Sequence, residues 1–256
     1  SVNLRKFIFE NHCLLKVEAF PERDNSKRRV FEDVKMSTAI LLTSSKNIKD
    51  CIIDLGISFE RQVSINRALF PVKELIDLNP DLVQIPLTDT HSFKLLNKIY
   101  QTENVKKFGA ISPCITGEVD MTFGKKAITN NVSDVPLIKG VQLDRYTLKT
   151  DQVEISQGEI EFINYEIFQK IGSDKKISDA AIERIALQGL TGVNENYRIK
   201  ATIVPPNIFL ANSCNYILPS TDYSLELLIA WLNSSLMNFV FKISRIIRIK
   251  KRKQGR

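Results

Sequence analysis

The amino-acid sequence predicts an α+β chain, in which a piece of an α/β sheet precedes a β-rich domain with mixed or antiparallel strands and flanking helices. Residues 1–60 contain several β-forming runs but no full set of strand–helix–strand units. Residues 108–218 contain short apolar runs separated by Gly, Pro, Asn and Asp, without long helices between them. The chain has 256 residues, 43% hydrophobic and 25% charged, which excludes a disordered or collagen-like protein.

The first elements follow from local pattern. Leu4–Glu10 has the character of the end of a helix, and His12–Phe20 alternates as a strand does. A charged loop over Pro21–Arg29 separates it from two further β-rich runs, Val34–Thr43 and Cys51–Leu55. We expect the other strands of this sheet to lie upstream of residue 1.

Residues 61–107 predict a connecting, partly helical segment. Pro71 interrupts the apolar pattern, and Asn79-Pro80 marks a turn. Thr88-Asp89-Thr90 then provides a helix-start signal, and apolar residues follow at helical spacing as far as Gln101. The pattern therefore predicts a helix over residues 89–101.

The β-rich region ends in a helix. Asp222 or Ser224 is predicted to cap a helix whose apolar positions run from Leu225 to Phe239. The candidate strands before it are Lys126–Thr129, Val135–Ile138, Arg184–Leu190, Arg198–Ile203 and Tyr216–Leu218.

The positive charge of the chain is concentrated at its end. Of the 36 Lys and Arg residues, eight lie in residues 242–256, which contain no acid, so the rest of the chain has 28 basic and 29 acidic residues. A nearly neutral body can still have a basic face, but net charge alone does not establish a polyanionic partner.

The cysteines, histidines and apolar segments favour a cytoplasmic protein. The four cysteines are scattered without a C-x-x-C pair, which predicts a reducing compartment with no disulfide framework and no thiolate zinc site. His12 and His91 have no ligand-spaced partner, so we expect no metal site. The apolar segment Leu225–Phe241 is too short and too polar to span a membrane comfortably, and it predicts a buried helix instead.

A search for catalytic motifs finds no convincing active site. The sequence has no G-x-S-x-G elbow, no P-loop, no H-E-x-x-H and no G-x-G-x-x-G after a strand. Asp33-Val34-Lys35 has the D-x-K form found in metal-dependent nucleases, but it lacks an acidic partner in a strand upstream, and we interpret it as a solvated turn. We therefore predict no catalytic residues in this chain.

Basic residues beside glycine or in neighbouring strands form the main binding signal. Glycine lets backbone N–H groups approach a phosphate, and a nearby cation favours the anion. A solvated basic loop is the alternative at every such position. The candidate phosphate contacts are Lys125, Lys126, Lys139, Lys175, Lys176, Arg184, Arg198 and Lys200.

Five segments in order resemble the TaqI-like C-terminal specificity domain of type II adenine-specific DNA methyltransferases and fused restriction-modification enzymes. Val135–Gly140 with Leu143–Tyr146 resembles the family's P-L-I-x-G-x-x-I-x-x-Y element. Ile115–Val119 is similar to the G-I-x-T-G element, and Ile185–Gln188 with Ile199–Thr202 is similar to a strand pair of the family. Asn212–Ile217 is similar to the N-S-x-N-x-I element, and Leu228–Ser234 is similar to the L-L-A-x-L-N-S helix.

The N-terminal part also resembles this family, with two departures. The segment from Val30 to Leu42 is similar to the strands that end the methyltransferase catalytic domain. The glycine motif for S-adenosylmethionine and the Asn-Pro-Pro-aromatic motif are absent, so the resemblance implies a chain that does not methylate DNA by itself. The second departure is the basic run over residues 242–256, because the family has a different sequence after its last helix.

The resemblance implies a DNA target-recognition module of a restriction-modification system. Such a module binds double-stranded DNA and positions an adenine for a catalytic domain, in the same polypeptide or in a separate subunit, where S-adenosylmethionine binds. The loop at Lys139 is the first expected contact, and the other basic candidates follow it. Gln188 is a candidate for reading adenine, because Gln can pair bidentately with that base, although a solvent-facing or structural Gln is the alternative.

The resemblance divides the chain into four parts. These are residues 1–60 as the C-terminal edge of a methyltransferase-like α/β domain, 61–107 as a connecting segment, 108–241 as the specificity domain and 242–256 as a basic tail. Two other functions stay open at this point: a separate type I-like specificity or scaffold subunit, and a nuclease with an unrecognised site.

Overall fold

The computed structural model describes residues 2–23, 25–45, 50–103, 105–106, 108–149, 160–189, 191 and 195–243. Contacts divide the chain into two compact units, Ser1–Val105 with Lys242–Arg256, and Lys106–Phe241. The described residues form helices and three four-stranded sheets, none of which closes into a barrel, so the chain is a mixed structure compatible with the α+β prediction. Most of the predicted basic tail, residues 244–256, lies outside the described part.

The first unit is a four-stranded sheet with three helices. The sheet order is β2-β1-β3-β4, with β1 parallel to β3 and the other pairs antiparallel. The elements are α1 (Val2–Asn11), β1 (Cys13–Phe20), β2 (Thr38–Ser44), β3 (Ile52–Ile57), β4 (Arg67–Pro71), α2 (Val72–Leu78) and α3 (Thr90–Gln101).

The core of this unit lies where the helices pack on the sheet. Ile53 and Phe70 form a cross-strand pair, and Phe70 packs against Phe93 of α3 with ring centroids 4.4 Å apart. The α3 prediction is confirmed, because the Asp89 side chain accepts the Ser92 N–H at 2.9 Å and caps the helix. β4, α2 and α3 belong to the segment predicted as a connection, and they contribute to the same core as β1 and β3.

The two edges of this sheet differ. On β4, Arg67 pairs with Glu18 and Asp54, and the Leu69 N–H donates to Thr90 Oγ1 at 3.1 Å, so the edge is charged and partly covered. β2 has no charged residue and no proline, and its central residues Ile40, Leu41 and Leu42 are 63%, 46% and 55% exposed. Strands with apolar residues on both faces are typical of sheets that are covered on both sides.

The first unit contains a disulfide between Cys13 and Cys51, with a Cα–Cα distance of 6.0 Å. The expectation of no disulfide is therefore wrong for this pair. The reason is the register of the parallel strands: Lys16 lies opposite Asp54, so the residues three positions earlier on each chain segment also face each other. A separation of 38 residues in the sequence conceals this proximity.

The second unit contains the two other sheets. One has the order β10-β9-β12-β5 with antiparallel neighbours, and the other has the order β11-β7-β8-β6. The elements are α4 (Phe108–Ile111), β5 (Ile115–Thr116), β6 (Ile128–Thr129), β7 (Val135–Ile138), β8 (Glu161–Ile163), α5 (Tyr165–Ile171), α6 (Asp174–Ala180), β9 (Arg184–Gln188), β10 (Ala201–Val204), β11 (Phe209–Leu210), β12 (Cys214–Ile217), α7 (Leu225–Leu232) and α8 (Ser235–Ile243), whose last two residues are counted with the first unit.

Alternating side chains bury the two faces of the β9 sheet in different cores. Ile185 and Ile217 pack with Leu228 of α7 on one face. Ala186 and Tyr216 pack on the other face with residues of the second sheet. This alternation is the period of two that β-strands impose on side chains.

The closing helix is interrupted at Asn233, where the prediction was one helix to Phe239. The Asn233 amide donates to the Ala201 carbonyl at 2.9 Å, and its oxygen accepts the Ala201 N–H at 3.2 Å. Asn233 is thus bonded to the start of β10, and it lies between the end of α7 and the start of α8. Among the described residues, no helix is both long and apolar enough to cross a membrane.

Candidate nucleic-acid interface

One end of the β9 sheet collects several of the predicted contact residues. Because the neighbouring strands are antiparallel, the carboxyl ends of β9 and β5 lie beside the amino ends of β10 and β12. The loops at this end contain Gly117, Lys200 and Ser213, beside Gln188 at the end of β9, and we call it the loop end. The opposite end of β9 begins at Arg184.

Three glycines let the backbone pack closely at the loop end. The Gly140 N–H donates to Ser213 Oγ at 2.9 Å, and the Gly189 N–H donates to the Ser213 carbonyl at 2.8 Å. A Cβ at Gly140 or at Gly189 would lie 2.7 Å from the Ser213 carbonyl oxygen, and one at Gly117 would overlap the Ala211 carbonyl. Glycine is needed at these positions because the backbones touch.

The loop end therefore joins the five segments on which the family resemblance depends. Four of them meet through Gly117, Gly140, Gly189 and Ser213 or the strands beside them. The fifth joins through Asn233, whose side chain bonds to the backbone of β10. In the sequence these segments are dispersed over about 120 residues.

Lys139 and Lys200 reach the loop end with carboxylate partners. Lys139 Nζ lies 2.8 Å from Glu161, and Lys200 Nζ lies 2.5 Å from Glu195. All four side chains are 21–34% exposed. A phosphate would have to compete with these carboxylates, so the free basic loops expected from the sequence are ion pairs in the structure.

Gln188 lies at the centre of the loop end. It faces Cys214 across the ladder, and its backbone N–H donates to the Lys200 carbonyl at 3.0 Å. Its side chain passes beside Gly140, and its amide oxygen is enclosed with no hydrogen-bond partner among the described residues. This half-buried position fits the structural alternative better than a side chain extended toward a groove.

Lys175 and Lys176 differ in environment although they are adjacent. The Lys176 ammonium donates to the Gly117 carbonyl at 2.7 Å and is thereby attached to the loop end. The Phe123 and Thr122 N–H groups keep the pKa of Asp120 low, and the charge of Lys176 adds to their effect. Lys175 is exposed on α6.

Lys125 and Lys126 lie on a separate feature, the 3₁₀ turn Lys125–Ala127 before β6. Both are exposed, and the turn is joined to α5 by the Asn164 N–H, which donates to the Ala127 carbonyl at 2.8 Å. They are not among the groups that meet at Ser213.

Arg184 is completely buried and serves the core. Its guanidinium donates to Glu118 Oε1 at 2.7 and 3.0 Å and to the Ile208 carbonyl at 2.8 Å. Glu118 Oε2 in turn accepts the Leu210 N–H at 2.7 Å. A side chain with no exposed surface cannot contact a duplex, so the prediction of Arg184 as a DNA contact is wrong. The sequence could not reveal its partner, which lies 66 residues away.

A second polar contact extends this buried network. The Tyr216 hydroxyl donates to Asp179 Oδ2 at 2.6 Å, and the Arg184 guanidinium lies 5.5 Å from the Tyr216 ring centroid. Burial and the bond to Asp179 raise the pKa of Tyr216. Burial also raises the pKa of Glu118, against the opposing effect of Arg184.

Arg198 is also almost buried, and it holds a loop. Its guanidinium donates to Thr191 Oγ1 at 3.1 Å and to the Thr191 carbonyl at 3.2 Å, while its backbone N–H donates to Asn238 Oδ1 at 2.8 Å. With 5% exposure it offers little surface to a ligand. These bonds attach the segment before β10 to α8.

Cys214 is the buried thiol in the centre of the Asn212–Ile217 segment. Burial raises its pKa to about 12, so the thiol stays protonated near neutral pH. This environment suits a packing residue.

Arg145, Tyr146 and Tyr197 form a feature that was not among the predicted contact residues, although Arg145 and Tyr146 belong to a segment of the family resemblance. The Arg145 guanidinium lies 3.9 Å from the centroid of the Tyr197 ring, and Arg145 Nη2 donates to the Asn233 carbonyl at 2.6 Å. Tyr146 and Tyr197 are 53% and 40% exposed. In the sequence, the only indication of this feature is the Arg-Tyr pair that ends the Leu143–Tyr146 segment. This segment contains no glycine, so it does not have the pattern of a basic residue beside glycine that marked the predicted phosphate contacts.

Asp144 and Lys149 flank this feature as an ion pair, with their charged atoms 3.2 Å apart. Burial acts to raise the pKa of Asp144, but the Arg145 N–H and the Lys149 and Lys200 ammonium groups outweigh it and keep that pKa below its usual value. The loop end thus combines cations, carboxylates and exposed rings.

Comparison of the sequence with protein-family models gave no match, and comparison with curated proteins gave no significant match.

Proposed function

We propose that this chain is the DNA target-recognition module of an adenine-specific methyltransferase of a type II restriction-modification system. It would bind double-stranded DNA through the loop end and present the target adenine to a catalytic domain. That domain, with its S-adenosylmethionine, would be elsewhere in the same polypeptide or in a partner subunit.

One observation carries the proposal: the five family-like segments meet at a single end of the β9 sheet. Their contacts through Ser213 and Asn233 join residues far apart in the sequence. The meeting point is also where Lys139, Lys176 and Lys200 lie.

The chemistry of the loop end is suited to a phosphate backbone. Lys139 and Lys200 are held in place by carboxylates before DNA arrives, and a phosphate must displace Glu161 or Glu195 to pair with them. The remaining contact set is Lys139, Lys176 and Lys200, with Lys125, Lys126 and Lys175 as outlying exposed cations.

The test is fluorescence anisotropy of the full chain with duplex DNA over a salt series. A second protein carries Gln in place of the seven Lys and Arg residues of 245–256, which removes all the basic residues of the tail except Lys242 and does not shorten α8. We expect salt-sensitive binding to persist in this variant. Binding that disappears with the tail charges contradicts the proposal, and magnesium-dependent cleavage of the DNA would favour a nuclease.

A lysine variant tests where the DNA binds. Lys139→Ala with Lys200→Ala should lower the slope of log affinity against log salt by about one unit for each phosphate that the variant no longer neutralises. Lys35→Ala, at an exposed lysine of the first unit, is the matched control and should leave the slope unchanged.

A further inference from the structure

The segment from Leu143 to Leu148 is a tight turn that projects from the loop end. Leu143 and Leu148 form an isolated antiparallel bridge, and the Asp144 N–H donates to the Thr147 carbonyl at 3.0 Å. The Tyr146 N–H donates to the Ala201 carbonyl at 2.8 Å, which attaches the turn to β10. The backbone of this turn is therefore fixed from both sides.

Tyr146 has an unfavourable backbone conformation within this turn. Its φ is 64°, in the left-handed region, where a residue with a β-carbon is strained and Gly or Asn is usual. Its ring does not compensate by burial, because the residue is 53% exposed. A tyrosine at this position therefore lowers the stability of the fold. The exposed part of its ring is accessible to another molecule.

The cation beside the ring contacts a second ring and a backbone carbonyl. Arg145 lies over Tyr197 at 3.9 Å from the ring centroid and 5.8 Å from that of Tyr146, and it is bonded to the Asn233 carbonyl. A guanidinium and two exposed rings in one cluster favour planar, electron-rich groups such as nucleobases. Lys149, which pairs with Asp144, and Lys200 add positive charge near this turn for the adjoining phosphates.

We propose that Tyr146 stacks on an unpaired base of the bound DNA, with Arg145 and Tyr197 fixing the turn that presents it. This inference depends on the proposed function, since it assigns a base contact to the same loop end. The ligand class is an unpaired nucleobase other than the target adenine, which the proposed function assigns to the catalytic domain.

The experiment compares variants of the full chain in binding to single-stranded oligothymidylate and to a duplex. Tyr146→Ala should weaken binding to the single strand about five-fold or more and leave the salt slope unchanged, because stacking on an aromatic ring does not involve phosphate charge. Tyr146→Phe keeps the ring and should bind as the wild type does. Tyr165→Ala, at an exposed tyrosine of α5, is the control and should have no effect.

Tyr146→Gly separates a contact role from a structural one. Glycine relieves the left-handed strain, so the melting temperature should not fall, whereas binding to the single strand should weaken as in Tyr146→Ala. A wild-type affinity in either variant overturns the inference, and so does a loss in Tyr146→Phe equal to that in Tyr146→Ala.

The two proposals fail in different ways. Salt-sensitive duplex binding that is independent of the tail, together with a Tyr146→Ala variant that binds normally, refutes only the stacking role. If the tail-neutralised chain binds no DNA, both proposals are refuted.

Discussion

The two ends of strand β9 use similar residues for opposite purposes. At its start, the Arg184 guanidinium is enclosed with the Glu118 carboxylate, and neither has any exposed surface. At its end, Lys200 and Glu195 also form an ion pair, but both are partly exposed. Loss of one partner from a buried ion pair is costly, because water cannot hydrate the charge that remains. In an exposed pair, water or another ion can take the place of the lost partner. Burial therefore distinguishes the structural cation from the candidate contact.

The largest effect is expected when the buried pair is broken on one side. Arg184→Ala leaves the Glu118 carboxylate in the core without its partner and should lower the free energy of unfolding by about 3–5 kcal/mol. Urea denaturation measures this loss. The double variant Arg184→Met with Glu118→Leu should be more stable than the single one, because it removes both charges. A single variant within about 1 kcal/mol of wild type would refute the structural role.

A smaller effect is expected from closing the space at Ser213. Gly140→Ala places a methyl group 2.7 Å from the Ser213 carbonyl and should destabilise the second unit by about 1–3 kcal/mol. Gly109→Ala is the control, since a Cβ there meets nothing within 4 Å. Thermal unfolding of both variants decides whether the glycine is required, and equal stability of the two proteins would contradict the close packing.

The surface pair at the loop end should matter little for folding. Lys200→Ala is expected to change the free energy of unfolding by about 1 kcal/mol or less, because exposed ion pairs contribute little. The same variant should weaken DNA binding and lower its salt dependence. A loss of stability as large as that of Arg184→Ala, measured in the same urea series, would remove the contrast between the two ends.

The smallest effect concerns the pH dependence of Asp144. Since its pKa is lowered in the folded state, its ionised form stabilises the fold above the unfolded pKa, and this contribution is lost as pH falls through the folded pKa. Asp144→Asn should therefore lower stability by roughly 0.5 kcal/mol at neutral pH and by less in acid. Urea midpoints at several pH values test the direction, and a difference that grows in acid would contradict it.

The sequence predicts best those elements whose cause is local. β1, β7 and α3 appear close to their predicted bounds, because alternation and the Asp89 cap act within a few residues. α5 and α6 were missed although Asn164 and Ser173 cap them, since each helix spans only seven residues and has no long apolar period.

The features that the sequence concealed depend on distant partners. Arg184 has the same local pattern as the other basic candidates, and only the fold places Glu118 beside it. The disulfide likewise required the register of two parallel strands. For the candidate site, Lys139 and Lys200 could be predicted from local pattern, whereas the stacking of Arg145 on Tyr197 joins two separate loops. Charge pattern indicates which residues could bind, and only the fold shows which of them are accessible.

The apolar strand β2 has a practical consequence for the behaviour of the chain in solution. Among the described residues β2 has a strand neighbour on one side only, and its exposed Ile40, Leu41 and Leu42 form a template on which another extended segment can add by hydrogen bonding. Natural edge strands usually prevent such growth with lysine, proline or a bulge, and β2 has no proline or charged residue. We therefore expect a rise in protein concentration to promote association through β2, which lowers the solubility of the chain and leaves the stability of its fold unchanged.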